Sequence, residues 1–177
     1  MIGMIMRQRG FTIVELLIVI VIIGVLAAIV IVAYTGIQTR ARDAKIQANE
    51  KTLMKAIIAA RQAKDKTLYE ITGNTWTADG CYSQNSGTNL AALDRAGSCW
   101  APYLQALDDI STASGINVRA LVDPWGRPYY IDENEGEDPL NPCQKDILSA
   151  YSYPFENYTT DLNSFLEVPL SLPDSAC

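Results

Sequence analysis

Histidine is absent from all 177 residues, proline is absent before Pro102, and cysteine occurs four times with no CxxC pair. The first absence removes Ser-His-Asp and Cys-His nucleophile systems and histidine-ligated zinc. The spacing of Cys81, Cys99, Cys143 and Cys177 excludes a zinc ribbon or thioredoxin-like motif. Charge is also missing where it is usually found. Between Phe11 and Thr39 the only carboxylate or ammonium group is that of Glu15. Basic excess is lacking too: the net charge is −6, and Arg7 and Arg9 near the N-terminus supply two of the positive charges. An acidic chain carries no generic footprint for nucleic acid, although Arg40, Arg42 and Lys45 form a local basic group read as a solvated or headgroup-facing helix end. No glycine-rich phosphate loop and no cluster with metal-ligand spacing is present, so neither a cofactor nor a metal is expected.

What is there begins with an apolar run. Phe11 to Ala33 spans roughly 34 Å as a helix, enough to cross a hydrocarbon core of about 30 Å. A single segment in lipid must satisfy its own backbone, which selects helix. Arg7 and Arg9 precede the run with no acidic residue before Glu15, so the positive-inside rule places the N-terminus in the cytoplasm and the remainder outside. Glu15 lies about one turn past Gly10. It is either a snorkelling interfacial carboxylate or a group held for a cation that arrives later.

From Tyr34 the helix continues as an amphipathic one. Ile37, Ala41, Ala44 and Ala48, then Leu53, Ile57, Ala60 and Ala63, recur at three- and four-residue spacing. The helix should end near Asp65–Leu68, before the Gly73-Asn74 turn signal. Residues 73–117 are rich in Gly, Ser, Thr and Asn, with two short helices expected, Asn89–Arg95 and Pro102–Asp109. Trp76, Tyr82, Trp100 and Tyr103 suit a small stapled core, with a recognition patch as the alternative. Val118–Val122 reads as a strand, Asp123-Pro124-Trp125-Gly126 as a type I turn, and Pro128–Ile131 as the returning strand. Asp132–Asp138 reads as a solvated acidic loop. Ile147–Tyr153 is another strand, and Phe155–Pro169 holds a third. Asn157-Tyr158-Thr159 fits a glycosylation sequon. Four cysteines in an exported domain read as two disulfides with three possible connectivities. Nearest-neighbour pairing, Cys81–Cys99 and Cys143–Cys177, closes the shortest loops and is the expectation.

The basic leader, Gly10-Phe11-Thr12-Ile13-Val14-Glu15-Leu16-Leu17, and the uninterrupted apolar helix through Ile22-Ile23-Gly24-Val25 to Ala33-Tyr34 resemble the class III signal of type IV pilins and pseudopilins. The resemblance implies prepilin peptidase cleavage between Gly10 and Phe11, N-methylation of Phe11, and an assembly role for Glu15 through pairing with the new α-amine. That family carries a proline just before the Ala-Tyr pair. Here Val32 stands in its place, a departure that bears on local melting of the helix near Gly24. The run Asp123-Pro124-Trp125-Gly126, followed by Pro128-Tyr129, resembles the start of the sheet in major pseudopilins of type II secretion. Those proteins bind calcium in a later loop. The region after Tyr151-Ser152-Tyr153 lacks the Gly-Asp-rich pattern for it.

The implied fold is α+β, a pilin-like lollipop with a long N-terminal helix, an αβ-loop and a small antiparallel sheet. Its expected divisions are a leader at 1–10, a transmembrane assembly helix at 11–34, an amphipathic half at 35–68 and a head at 69–177. The head divides into an αβ-loop at 69–117 and a sheet with a C-terminal disulfide region at 118–177. The implied function is that of a prepilin polymerised through its N-terminal helix. Its partners would be copies of itself, prepilin peptidase, the inner-membrane pilus assembly machinery and, before assembly, membrane lipid. The precursor would lie in the cytoplasmic membrane and the assembled pilus outside the cell. A major pseudopilin of a secretion or DNA-uptake system is the near alternative. A membrane-anchored enzyme or ligand-binding domain is the distant one, with a paired-carboxylate glycosidase as the form that composition leaves open.

Overall fold

The computed structural model describes residues 11–156 and 165–171, with residues 32, 33 and 35 described in their backbone alone. The leader, Gly10, the sequon at Asn157 and Cys177 lie outside the described residues.

Helix α1 runs unbroken from Ile13 to Lys64, through Val32. It belongs to two compact units, one ending at Ala41 and the other beginning at Arg42. In the first unit the apolar side chains from Ile13 to Ile31 are exposed, and this part is long and apolar enough to cross a membrane. In the second unit α1 buries Ile46, Glu50, Leu53, Ala56, Ile57, Ala60 and Arg61, a face built from three- and four-residue spacings. The expected inward series therefore holds for Leu53, Ile57 and Ala60. It fails at Ile37, Ala41, Ala44, Ala48 and Ala63, which are exposed. The true face includes polar side chains that a hydrophobic pattern does not count. Asn49 donates to the Val122 carbonyl at 3.0 Å and to the Tyr129 hydroxyl at 3.0 Å.

A second helix, α2 (Leu68–Thr72), follows immediately. Thr67 and Glu70 form a reciprocal capping box at its start, and Gly73 closes it in the left-handed region at φ 67°. The Gly73 stop signal thus ends α2 rather than α1. Helix α3 (Asp79–Tyr82) carries Cys81, which is disulfide-bonded to Cys99. Gly80 makes that approach possible, since a Cβ there would lie 2.2 Å from the Ser98 carbonyl oxygen. Cys143 is also disulfide-bonded.

The expected helix at Asn89–Arg95 is a single 3-10 turn, Leu90–Ala92, capped by Asn89. The next helix, α4 (Trp100–Ser114), keeps Pro102 in its first turn but extends past Asp109 to Gly115. Tyr103, Leu107 and Ile110 supply the buried stripe that carries it onward. Trp100 and Tyr103 are core residues, their rings edge-to-face with centroids 5.9 Å apart.

Strands β1 (Tyr130–Asp132), β2 (Ile147–Ser149) and β3 (Leu166–Glu167) form an antiparallel sheet in that order. Tyr130 faces Ser149 in the first pair, and Leu148 faces Leu166 in the second. Val118–Val122 is not a strand. Its backbone groups go to side chains and a local turn instead: Val118 N–H donates to Ser111 Oγ at 3.0 Å, and the Leu121 carbonyl accepts from the Tyr103 hydroxyl at 2.6 Å. The turn at Asp123 forms as expected. Gly126 N–H donates to the Asp123 carbonyl at 3.0 Å, and Gly126 adopts φ 79°.

Candidate functional site

At the start of α1 the chain reads Thr12-Ile13-Val14-Glu15, and Thr12 and Glu15 cap each other. The Thr12 N–H and hydroxyl each donate to Glu15 Oε2 at 2.8 Å, while Glu15 N–H donates to Thr12 Oγ1 at 3.2 Å. The carboxylate sits in the first turn, where the helix dipole favours it. Phe11, just before it, is 86% exposed. Thr12 was not singled out from the sequence, although a Thr three residues before a Glu at the head of an apolar run is a readable capping signal.

The second unit is held by two buried ion-pair clusters and one buried, hydrogen-bonded carboxyl. Asp123 accepts from Trp125 N–H at 2.9 Å, Arg127 N–H at 2.8 Å and Arg127 Nε at 2.6 Å. The remaining nitrogens of Arg127 donate to the Tyr151 and Ser152 carbonyls, so this pair ties the turn to the segment following β2. Trp125 stacks on Tyr153 with centroids 4.4 Å apart, and the guanidinium of Arg127 lies 4.9 Å from the Trp125 ring.

The acidic stretch after Ile131 is a loop beyond Asp132, with Glu137 and Asp138 exposed as expected, but it is not solvated throughout. From Ile131 to Glu135 its side chains alternate in burial, and Glu133 and Glu135 are fully buried. Glu135 meets Arg61 of α1 at 3.0 Å and accepts from Ser171 N–H at 2.5 Å and Ser171 Oγ at 3.1 Å. Asp146 pairs with the same Arg61 and accepts Glu135 N–H at 2.8 Å. Arg61 also donates to the Pro169 carbonyl at 2.7 Å. One guanidinium therefore joins α1, the segment after β1, the start of β2 and the chain beyond β3. Burial lowers the Arg61 pKa, and Glu135 opposes that shift.

Glu133 accepts from Thr77 N–H at 2.8 Å, from the Thr77 hydroxyl, and from the Thr72 hydroxyl at 3.3 Å. It fastens the α2–α3 connection to β1. Burial pushes its carboxyl up to about 7, against the opposing hydrogen bonds from Thr77 and Thr72. A carboxyl raised in the folded state favours folding below its unfolded pKa, and that contribution is lost as the pH rises through 7. Thermal melts of the detergent-solubilised chain are expected to show this contribution falling between about pH 4.5 and 7. Glu133→Gln should flatten that part of the profile. An unchanged profile in the Gln variant would remove Glu133 as its source.

The buried carboxylates face protein donors, which is the work of a scaffold. The sequence itself matches the family model "Prokaryotic N-terminal methylation motif" over residues 5–31. Over 144 residues it is 31% identical to the type II secretion system core protein G of Escherichia coli strain K12, covering 81% of each chain. The chain belongs to the type IV pilin and pseudopilin family. This pilin-family chain is also 42% identical to the type IV major pilin protein PilA of Myxococcus xanthus over 60 residues, 34% of this chain and 27% of that one. To the type IV narrow pilus major component PilA5 of Thermus thermophilus it is 37% identical over 94 residues, 47% of this chain and 78% of that one. No solved structure matches it.

Proposed function

We propose that this chain is a structural subunit of a type IV pilus-like filament outside the cell, made as a membrane-anchored precursor and polymerised through the first part of α1. The observation that carries the reading is the exposed apolar first part of α1, from Ile13 to Ile31, whose one carboxylate, Glu15, lies at its N-terminal end. Such a surface is stable in lipid or among copies of the same helix and nowhere in water. Exchange of lipid for neighbouring helices yields little net hydrophobic energy, so packing and Glu15 supply direction and register. In this reading residues 1–10 are the leader, 11–34 the assembly helix, 35–68 the amphipathic half and 69–177 the head. Prepilin peptidase cuts between Gly10 and Phe11 on the cytoplasmic side, and Phe11 is N-methylated. The inner-membrane assembly machinery then extracts the subunit into a homopolymer. The role is structural and not enzymatic, in keeping with the named relatives.

Mass spectrometry of the mature chain is expected to find a methylated N-terminus at Phe11. A start beyond about Ala28 would mean ordinary signal cleavage and loss of the assembly helix. A second reading, a major pseudopilin of a secretion system, is favoured by the built Asp123–Arg127 turn and by the long match to core protein G. Electron microscopy separates the two. Filaments on cells at native expression support the pilus, and their absence with loss of secretion in a deletion strain supports the pseudopilin.

A further inference from the structure

Two sequence features that assembly does not use, the aromatic residues of the αβ-loop and the acidic stretch after Ile131, meet at one place in the fold. An open groove of about 460 Å³ is lined by Trp76, Tyr82, Tyr130, Asp132, Asn134 and Glu137, with Thr75 at its edge. The three rings stand at steep angles to one another. The Trp76 and Tyr82 centroids are 5.3 Å apart, those of Tyr82 and Tyr130 5.6 Å, and those of Trp76 and Tyr130 6.5 Å. Asp132 is half-buried in the wall and accepts the Tyr130 hydroxyl at 3.1 Å. Glu137 stands at the rim.

The charge in this groove has one sign. Among the described residues no Lys or Arg lines it. Lys145, whose carbonyl accepts the Asn134 amide at 3.2 Å, directs its own ammonium to Glu167 at 2.6 Å. Burial raises the Asp132 carboxyl, and burial with the nearby Asp132 and Asp138 carboxylates raises that of Glu137. A cation entering here would relieve that repulsion. A hard metal ion fits the wall poorly: it needs six to eight oxygens, roughly, whereas much of this wall is ring carbon. Among the described residues no group of acidic side chains is arranged to hold a metal. An organic ammonium ion uses both halves of the wall, because its charge meets carboxylates and ring faces while its alkyl groups lie on carbon.

We propose that this groove binds an organic ammonium group, with its charge between Asp132 and Glu137 and its alkyl substituents against Trp76, Tyr82 and Tyr130. The source is a small alkylammonium compound or headgroup, or a lysine side chain, and these share the chemistry.

The test is calorimetric titration of the full chain in a non-ionic detergent at constant ionic strength. Choline is the first probe, 3,3-dimethyl-1-butanol its uncharged isostere, and Nα-acetyl-lysine methylamide the lysine probe. Saturable choline binding with a Kd of about 1–10 mM is expected, with the uncharged isostere at least about tenfold weaker. Glu137→Gln, at the exposed rim, should weaken choline severalfold, and Trp76→Leu by about tenfold or more. Trp76→Phe keeps a packed ring and should retain part of the binding. Far-ultraviolet circular dichroism and an intact Cys81–Cys99 disulfide establish that each variant is folded. Tighter binding of choline than of the lysine probe assigns the source to methylated ammonium compounds, and the reverse assigns it to a protein side chain. Equal binding of the uncharged isostere would overturn the proposal. So would the absence of saturation by either cation, or folded Glu137→Gln and Trp76→Leu proteins with unchanged affinity.

Discussion

Glu15→Val is expected to leave membrane insertion and leader cleavage intact, or to improve insertion, and yet to abolish filaments or sharply reduce them. In the precursor the nearest cations in sequence are Arg9 and Arg7. Cleavage after Gly10 removes both and creates an α-amine at Phe11, whose reference pKa of about 7.7–8.0 leaves it largely charged at neutral pH. In a filament core without water, the amine and the carboxylate would each cost several kcal/mol alone, roughly, and are tolerated when paired. The structure adds a holding arrangement. Thr12 supplies two donors to the Glu15 carboxylate, so the group enters the first turn of α1 already hydrogen-bonded and oriented. Pairing with the amine of a neighbouring subunit would fix the axial step of each incoming helix. Valine removes the partner and leaves the amine buried alone. Glu15→Asp, with a shorter reach, should retain part of the assembly. Electron microscopy and shearing assays on cells producing only the variant, at wild-type subunit levels, decide the matter. Normal filaments from the Val variant would refute this role.

The second large effect is expected at Arg61. Arg61→Ala should destabilise the head by about 3–5 kcal/mol, because it strands Glu135 and Asp146, both fully buried, without their cation. Arg61→Lys should restore only part of this. An ammonium is a point donor, while the guanidinium meets both carboxylates through Nη2 and the Pro169 carbonyl through Nη1. Urea denaturation of the solubilised chain, followed by circular dichroism, reads the loss as a lower midpoint at an unchanged slope. A loss below about 1 kcal/mol for Arg61→Ala would show that the cluster is not a fastening of the fold. Combining Arg61→Met with Glu135→Gln and Asp146→Asn removes the charges together. It should recover stability relative to Arg61→Ala, since stranded charge and not lost contact is the main cost.

Arg61 also shows where sequence reading stops. The apolar spacing counts Ala63 and passes over Arg61, whereas the structure exposes Ala63 and buries Arg61. Glu133 and Glu135 read as solvated loop residues because acidic side chains are rarely buried without partners; they lie in a loop, but a buried one. Their partners come from 56 residues upstream at Thr77 and from Arg61 in α1, separations that no local pattern encodes. Val118–Val122 has strand composition, but its backbone groups are taken by side chains: the Ser111 hydroxyl accepts from Val118 N–H, and Tyr103 and Asn49 donate to the Leu121 and Val122 carbonyls.

By itself the sequence determined the long helix, the place of Glu15 and the turn at Asp123. It also determined the class of molecule, because these features rest on local physics: an apolar run long enough to span a bilayer, one charge within it, and Pro and Gly at set turn positions. Only the tertiary structure decided which polar residues of α1 face inward. It likewise decided that the acidic stretch is an internal fastening at Glu133 and Glu135, and that its outer carboxylates share a groove with the αβ-loop aromatics. The physical reason is that a buried charge is favourable only through partners distant in the chain, and those partners are chosen when the chain folds.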